Sequence, residues 1–293
     1  MVHIDSILAA TDFSADARNA LERAAMLCTT TGATRGAALH VLETSWLEAL
    51  RQRVSSHPGA DQSLIDSASR DLEQLVAEIR EATGGSLEPQ VRVGNVVDTI
   101  VEACGEYDVL ALGARGGHTL REFALGTTAE RIIRRIPKPI LVVRRKAAAS
   151  YRRVLVAVDF SRHSQAAFEY ANLIAPDGEL HLVHVFGVLF EGQMRYTGVS
   201  DALIKEYRDK ARAEAELAMS RFASGLGQDE HRVKGVVEYG GHVANTLVEK
   251  ARDLDADLVV VGKHGESLTE GLLLGGVTLR MLGDCSCDVL VAQ

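Results

Sequence analysis

The stretch LALGARGGHTLREFALGTTAERIIRR, residues 110–135, decides how the fold is interpreted. It begins as an apolar run typical of a buried strand and ends in a helical pattern that follows Gly126. Between the two lies a polar loop that contains Gly113 and Gly116. Glycines placed between a strand and a helix either permit a turn or let the backbone approach a ligand closely. The rest of the sequence bears on which of these two interpretations holds.

The same loop occurs a second time, because the chain repeats itself. DVLALGARG, from residue 108, returns as DLVVVGKHG from residue 257, at a spacing of 149 residues. ILAATDFS, from residue 7, returns as VLVAVDFS from residue 154, at a spacing of 147. Each copy is long enough for an ordinary domain. The repeat therefore predicts two similar domains, residues 1–147 and 148–293, joined at a short basic and alanine-rich stretch.

Each half alternates strands with helical patterns. Strands are predicted in the first half at 3–11, 36–43, 88–94, 108–113 and 139–143. Strands are predicted in the second half near 152–158, 179–186, 231–239, 257–262 and 288–292. Strands that are apolar on both faces predict an α/β fold. We expect two tandem doubly wound domains, each a five-stranded parallel sheet of order 3-2-1-4-5 with helices on both faces. In that order a ligand cleft is expected between strands 1 and 4.

Composition limits the class of protein. Of the 293 residues, 46% are apolar and 25% are charged, which is typical of a globular protein. The net charge of −8 argues against a nucleic-acid partner. The absence of a long uncharged apolar run argues against a membrane partner, and the N-terminus reads as a strand rather than a signal peptide. A cytoplasmic location is therefore expected.

No metal site and no catalytic group stand out. The four cysteines lack a second ligand pair with zinc-type spacing and are expected to be buried thiols. His181 and His184 are three apart on a strand, so they should point to opposite faces. Neither Gly-x-Ser-x-Gly nor His-Glu-x-x-His occurs.

The loop of the first half has the chemistry of a phosphate site. A helix that starts just after Gly126 offers unbonded N–H groups and the positive end of its dipole. Thr127 and Thr128 could add hydroxyls, and Arg115 could add positive charge. The alternative is that these are turn glycines before an ordinary helix cap, since Thr127 to Glu130 also fits a capping box.

These motifs together resemble the universal stress protein family. The resemblance rests on the strand-1 aspartate in ATDFS and AVDFS, on the spacing Gly-x2-Gly-x9-Gly-Thr, and on the closing strand PILVV. It covers both halves of the chain. It implies five parallel strands per domain, a cleft for an adenine nucleotide, and association through the last strand, either between chains or between the two halves of one chain.

The resemblance also implies roles for residues of the first half. Asp12 would lie by the adenine and ribose, and Val41 would line the adenine. Because a bare carboxylate repels phosphates, Asp12 should face ribose hydroxyls or adenine, or act through Mg²⁺. The alternative for Asp12 is a turn or helix-capping acid.

The phosphate end follows from the same resemblance. Gly113 and Gly116 would pass under the ribose and the first phosphates, and Gly126, Thr127 and Thr128 would wrap the later phosphates. The expected cofactor is therefore ATP together with Mg²⁺.

The second half keeps the aspartate and the three glycines of this pattern, which are Asp159, Gly262, Gly265 and Gly275. It departs at Gly276, where the family has Ser or Thr, and Leu279 replaces the glutamate of the capping box. One hydroxyl is lost, so nucleotide is expected mainly in the first domain.

Three functions are compatible with this pattern. The favoured one is an ATP-binding regulatory protein of stress response, because the first-half motif is intact. The others are an enzyme in the same cleft, such as a slow ATPase or another nucleotide-using enzyme, and a ligand-free scaffold with vestigial clefts. The sequence lacks an evident base for activating water.

The closing strands, PILVV and DVLVA, would be apolar sheet edges. We therefore expect the two domains to pair within one chain, with a homodimer and protein partners as further associations.

Overall fold

The computed structural model describes five stretches of the chain, residues 2–45, 60–115, 125–226, 232–263 and 274–293. Its backbone divides into two compact units, residues 1–150 with 286–290 and residues 151–285 with 291–293.

The elements of the first half follow in the order β1 (Ser6–Thr11), α1 (Ala15–Thr31), β2 (Arg35–Glu43), α2 (Ala60–Thr83), β3 (Glu88–Gly94), α3 (Val96–Cys104), β4 (Val109–Gly113), α4 (Thr127–Arg135) and β5 (Ile140–Val143). Those of the second half are β6 (Arg153–Ala157), α5 (Arg162–Ile174), β7 (Glu179–Phe186), α6 (Glu191–Tyr196), α7 (Asp201–Gly225), β8 (Val233–Tyr239), α8 (Val243–Asp253), β9 (Leu258–Gly262), α9 (Gly276–Asp284) and β10 (Asp288–Ala292).

The strands of the first half run in the order β3-β2-β1-β4-β5, and every neighbouring pair is parallel. The order reverses at β1, which pairs with β2 on one side and β4 on the other. Right-handed crossovers then put α1 and α2 on one face and α3 and α4 on the other. Contacts agree, since α1 packs against α2 and α3 packs against α4. The predicted fold class is confirmed.

The second half repeats this strand order as β8-β7-β6-β9-β10. Its β6 is the central strand, with β7 and β9 as parallel neighbours. The carboxyl ends of β6 and β9 therefore form the same type of switch point as those of β1 and β4. An element absent from the sequence prediction, the short helix α6, follows β7.

Strand β1 begins at Ser6, later than the predicted start at residue 3. The carboxylate of Asp108, which directly precedes β4, accepts hydrogen bonds from the backbone N–H of Asp5 and Ser6 and from the Ser6 hydroxyl, each at 2.9 Å. The Asp108 side chain therefore accepts the backbone hydrogen bonds that a longer β1 would donate to a neighbouring strand. From Ile7 to Thr11 the strand is buried on both faces, as its apolar sequence predicts.

Candidate functional site

A cavity of about 350 Å³ lies where the strand order of the first half reverses, between β1 and β4. Its wall includes the carboxyl ends of β1, β2 and β4 and the first turns of α3 and α4. The structure brings together in this wall seven predicted site residues, which are Asp12, Val41, Gly113, Arg115, Gly126, Thr127 and Thr128. Gly116 lies outside the described residues.

Asp12 follows β1 in a tight turn. Its Oδ1 accepts a hydrogen bond from the backbone N–H of Ser14 at 3.0 Å, so the carboxylate does take the turn role that was the alternative. It is not the cap of α1. The Ser14 hydroxyl caps that helix by accepting from the N–H of Ala17 at 3.3 Å. Asp12 is nevertheless exposed and lines the cavity, so the turn fixes the direction of a carboxylate that a ligand can reach.

The next residue, Phe13, has a φ of 62°, which is unusual for a bulky side chain. Its ring lies against His40 of β2 with the ring centroids 4.5 Å apart. His40 Nδ1 lies 2.9 Å from the Thr11 carbonyl oxygen, which can only accept, so Nδ1 carries a proton and donates. His40 also lines the cavity.

His40 was not predicted as a site residue. Its position depends on the register that pairs it with Thr11, which sequence periodicity alone does not set. A signal was present, because the second half carries His184 and Phe160 in the same places. There the ring centroids lie 4.4 Å apart, and His184 Nδ1 donates to the Val158 carbonyl at 2.8 Å.

Gly113 has a packing reason to be glycine. A Cβ on this residue would lie 2.7 Å from the backbone N of Ala17 and 2.7 Å from the carbonyl carbon of Asp16. The end of β4 thus touches the backbone of the first turn of α1, where no side chain fits. Gly113 still lines the cavity, so the close approach also brings α1 to its edge.

Arg115 lies in the cavity wall, but its charge already has a partner. Its Nε donates to Asp16 Oδ2 at 2.8 Å, and one terminal nitrogen lies 3.5 Å from Oδ1. The Asp16 side chain is only 15% exposed, which strengthens this pair relative to a surface ion pair. The expectation that Arg115 simply offers charge to a phosphate needs correction, because a phosphate would have to compete with Asp16.

The first turn of α4 is the part of the cavity best suited to an anion. Gly126 is the N-cap residue and makes no side-chain cap, while its own N–H is bonded to the Ala114 carbonyl at 2.9 Å. Thr127 and Thr128 begin the helix with exposed side chains. The positive end of the helix dipole, the first-turn amides and two hydroxyl groups therefore lie together at the start of α4.

The capping box that the sequence allows between Thr127 and Glu130 does not form. Thr127 is already inside the helix, and the carboxylate of Glu130 binds Arg134 at 2.7 Å instead of turning back to the helix start. The start of α3, which also borders the cavity, is different. There Asn95 caps the N–H of Asp98, and a carboxylate oxygen of Glu43 accepts from Val96 N. Of these two helix starts, only that of α4 lacks a side-chain cap.

The second half has a smaller cavity, of about 240 Å³, at its own switch point. Asp159, Gly262 and Gly275 line it, as predicted, while Gly265 lies outside the described residues. Gly275 is the N-cap of α9 and again has no side-chain cap. Next to this cleft, Lys263 is 6% exposed, and burial lowers the pKa of its ammonium group.

Metal-binding and membrane features were sought in the described part of the chain. No three His, Cys, Asp or Glu side chains come together there as a group that could hold a metal ion. Within the same residues, no helix is both long and apolar enough to span a bilayer.

The fold and the two clefts define a class, α/β proteins built from a duplicated domain with a five-stranded parallel sheet. A model of the universal stress protein family matches residues 3–144 and again residues 150–293. The chain belongs to the universal stress protein family, as a tandem of two such domains.

Relatives and a solved structure agree with this assignment. A universal stress protein of Synechocystis sp. is 29% identical over 219 residues, which cover 72% of this chain and 67% of the relative. One from Mycobacterium tuberculosis is 26% identical over 237 residues, 78% of this chain and 77% of the relative. The crystal structure of a universal stress protein from Archaeoglobus fulgidus superposes with a TM-score of 0.69 at 21% identity, covering 100% and 99% of the two chains, and so shows the shared fold.

Proposed function

We propose that this protein binds ATP with Mg²⁺ in the cleft of its first domain and that nucleotide occupancy regulates its role in stress response. One observation carries the proposal. The start of α4, without a side-chain cap and with Thr127 and Thr128 exposed, lines the same cavity as Asp12. A group that accepts hydrogen bonds at one end and a group that donates them at the other match the two ends of a nucleotide.

The phosphate tail is assigned to α4. Three features favour negative charge there: first-turn amides, the positive end of the helix dipole, and the hydroxyls of Thr127 and Thr128. Arg115 adds a guanidinium that can turn from Asp16 toward a phosphate oxygen.

The base and ribose are assigned to the other end of the cavity. Val41, Val96 and Ile100 give the cavity apolar walls, which suit a flat aromatic base. The Asp12 carboxylate would accept hydrogen bonds from ribose hydroxyls, or hold Mg²⁺ together with phosphate oxygens. Repulsion between like charges keeps it away from a direct contact with the phosphates.

The substitution Thr127→Glu tests the proposal. A glutamate in the first turn of a helix favours folding, because it faces the positive end of the dipole. The same charge would repel a phosphate, so we expect ATP affinity to fall by roughly 10- to 100-fold, as for a like charge at close range. Isothermal titration with Mg·ATP measures the change, and heat-released nucleotide from the purified protein gives a second readout.

The matched control is Gly276→Glu, the equivalent position on α9, where an added Cβ meets nothing within 4 Å. This variant should keep wild-type ATP affinity if the first cleft holds the nucleotide. A wild-type protein that neither binds Mg·ATP nor releases nucleotide on denaturation would refute the proposed function.

A further inference from the structure

One side of the wall has the same residue types in both clefts, and the other side differs between them. The shared side consists of the ends of the second strand and the start of the helix after the third strand, with the same residue types in both domains. These are His40, Val41 and Val96 in the first cleft and His184, Val185 and Val243 in the second. The side that we assigned to the base is thus duplicated.

The agreement extends to backbone conformation. Phe160 repeats the positive φ of Phe13, 64° against 62°. Each ring lies against its histidine, and each histidine donates from Nδ1 to the carbonyl at the end of the central strand. A bulky residue rarely adopts this backbone conformation. The second cleft therefore retains the same backbone conformation beside its histidine as the first.

The carboxylate side is built differently. In the second cleft, Asp159 Oδ1 accepts hydrogen bonds from the Ser161 N–H at 3.1 Å, the Ser161 hydroxyl at 2.5 Å and the Ser164 hydroxyl at 2.5 Å. Ser164 is 3% exposed, and the first domain has Ala17 at its position. This oxygen of Asp159 is already saturated by the protein's own hydroxyls.

The helix start is also changed. Gly276 and Val277 stand where α4 has its two exposed threonines, so α9 presents no hydroxyl at its first two positions. The next residue, Thr278, has a hydroxyl, but it donates to the Gly262 carbonyl at 2.8 Å and is 3% exposed. The hydroxyls that could hold a phosphate tail have been replaced or turned inward, so the start of α9 keeps only its backbone amides and helix dipole for an anion.

We propose that the second cleft binds a neutral purine nucleoside and discriminates against its phosphorylated forms. The choice of a purine rests on the proposed function, since it transfers the base from the first cleft to the duplicated wall. The neutrality rests on the second cleft alone. Its cavity of about 240 Å³ is smaller than the first and suits a ligand without a phosphate tail. The chain would then hold two different ligands, one in each domain.

Adenosine is the probe for this proposal, and the full-length chain is used throughout. In equilibrium dialysis with labelled adenosine and saturating Mg·ATP, we expect one adenosine to remain bound per chain. Val243→Trp, at a site that lines the second cleft and is 43% exposed, should weaken this binding at least about tenfold by filling the cavity. Unlabelled adenine and AMP in competition show whether the ribose contributes and whether one phosphate is rejected.

The matched control is Val96→Trp, the equivalent change in the first cleft, which should leave the binding of adenosine in the presence of ATP unaltered. Displacement of adenosine by ATP in the Val96→Trp chain would overturn the proposal, because the second cleft would then accept the triphosphate. Equal adenosine binding by the wild type and Val243→Trp would also overturn it. Mg·ATP binding by the Val243→Trp chain reports on the first cleft alone, so failure of the proposed function is recognised separately.

A gain of function gives an independent readout. The triple change Ser164→Ala, Gly276→Thr and Val277→Thr restores the first-domain residue at each altered position, and Gly276 has open space around it. In a Val96→Trp background, ATP affinity should rise at least about tenfold over the same chain without the triple change. Unchanged affinity in a folded triple variant would show that these three positions do not exclude the phosphates, which contradicts the inference.

Discussion

At the scale of single residues, the same amino acid has two different tasks in the two domains. Asp12 and Asp159 each follow a central strand and each accept a hydrogen bond from the N–H two residues ahead, at 3.0 and 3.1 Å. Only Asp159 is also bonded by two serine hydroxyls. Asp159 is therefore held within the fold by serine hydroxyls of its own domain, whereas Asp12 is exposed and lines the cavity in which we propose that ATP binds.

This difference predicts opposite consequences for the two alanine substitutions. Asp12→Ala should cost about 1.5–3 kcal/mol in ATP binding, because a charged hydrogen-bond acceptor is lost, and little in stability. Asp159→Ala should leave ATP binding unchanged but lower the free energy of unfolding by about 1–3 kcal/mol, since it leaves the buried Ser164 hydroxyl without its acceptor. Titration calorimetry and urea denaturation of both variants measure the two quantities. Equal destabilisation by both would contradict this assignment.

Some site residues could be predicted from the sequence and others could not. Glycines and hydroxyls between a strand and a helix are a local signal, so Gly126 and Thr127 were identified. The roles of His40 and Arg115 depend on partners distant in sequence, Thr11 and Asp16. Such pairs become visible only when strand register and helix position are known.

At the scale of elements, the segment that follows β4 is tied to α1 by the ion pair of Arg115 with Asp16, at the edge of the first cleft. Asp16 carries negative charge toward the place assigned to phosphates, and Arg115 compensates for it. The pair therefore contributes to the electrostatic potential at the edge of the cleft where we propose that the phosphates bind.

Two substitutions of this pair should act in opposite directions. Asp16→Asn should raise ATP affinity a few-fold, since Arg115 is released to the phosphates and a repelling charge is removed. Arg115→Ala should lower it roughly tenfold, because Asp16 is then uncompensated. Titrations at two salt concentrations provide the check, since the difference between the variants should shrink as salt screens the charges. A shift in the same direction for both would rule out this arrangement.

Helix α6 offers a prediction about pH. Glu191 on this helix accepts hydrogen bonds from Arg208, from the Tyr239 hydroxyl at 2.6 Å and from Arg195 at 3.2 Å. These contacts, that of Arg208 first, lower the pKa of Glu191 to about 2 from an ordinary value of 4.5. A lowered carboxylate pKa stabilises the fold above the ordinary value, and the contribution is lost as pH falls toward the lowered one.

The urea midpoint of the wild type should therefore exceed that of Glu191→Gln at neutral pH. The gap should narrow between about pH 4.5 and pH 2, where Glu191 takes up its proton in both folded and unfolded chains. Glu249→Gln, a change to a glutamate that the contacts of α6 do not include, serves as the control. If the difference in urea midpoint between the wild type and Glu191→Gln stays constant across this pH range, Glu191 is excluded as the source of the difference.

The strands were more predictable than the helices that follow them. The apolar run at the end of the chain predicted β10 at its observed bounds, because a strand buried on both faces needs little else. The start of β1 was missed because the competing acceptor, Asp108, lies 102 residues from Ser6 in sequence. Helix α6 is short and held mainly by side chains of α7 and β8, which no local pattern reveals.

At the scale of the whole molecule, we propose that the two domains pair within the chain through their closing strands. The proposal rests on sequence, because PILVV and DVLVA are apolar and would otherwise be sheet edges open to aggregation.

Residues 1–147 expressed alone should therefore associate into dimers or larger species in light scattering, since β5 would lack its cover. The intact chain should show the mass of one copy, 31.6 kDa, or of a defined oligomer. A stable monomer of residues 1–147 at high concentration would contradict pairing through this strand.

The serine that fixes Asp159 has a consequence for how such chains are compared with one another. An aspartate after the first strand is easily taken as a marker of nucleotide affinity. In the second domain, however, this aspartate accepts hydrogen bonds from the protein's own serine hydroxyls. The informative position is five residues further on, alanine at 17 and serine at 164. Duplicated relatives could be sorted by this one side chain into copies that sense a charged metabolite and copies that have changed ligand.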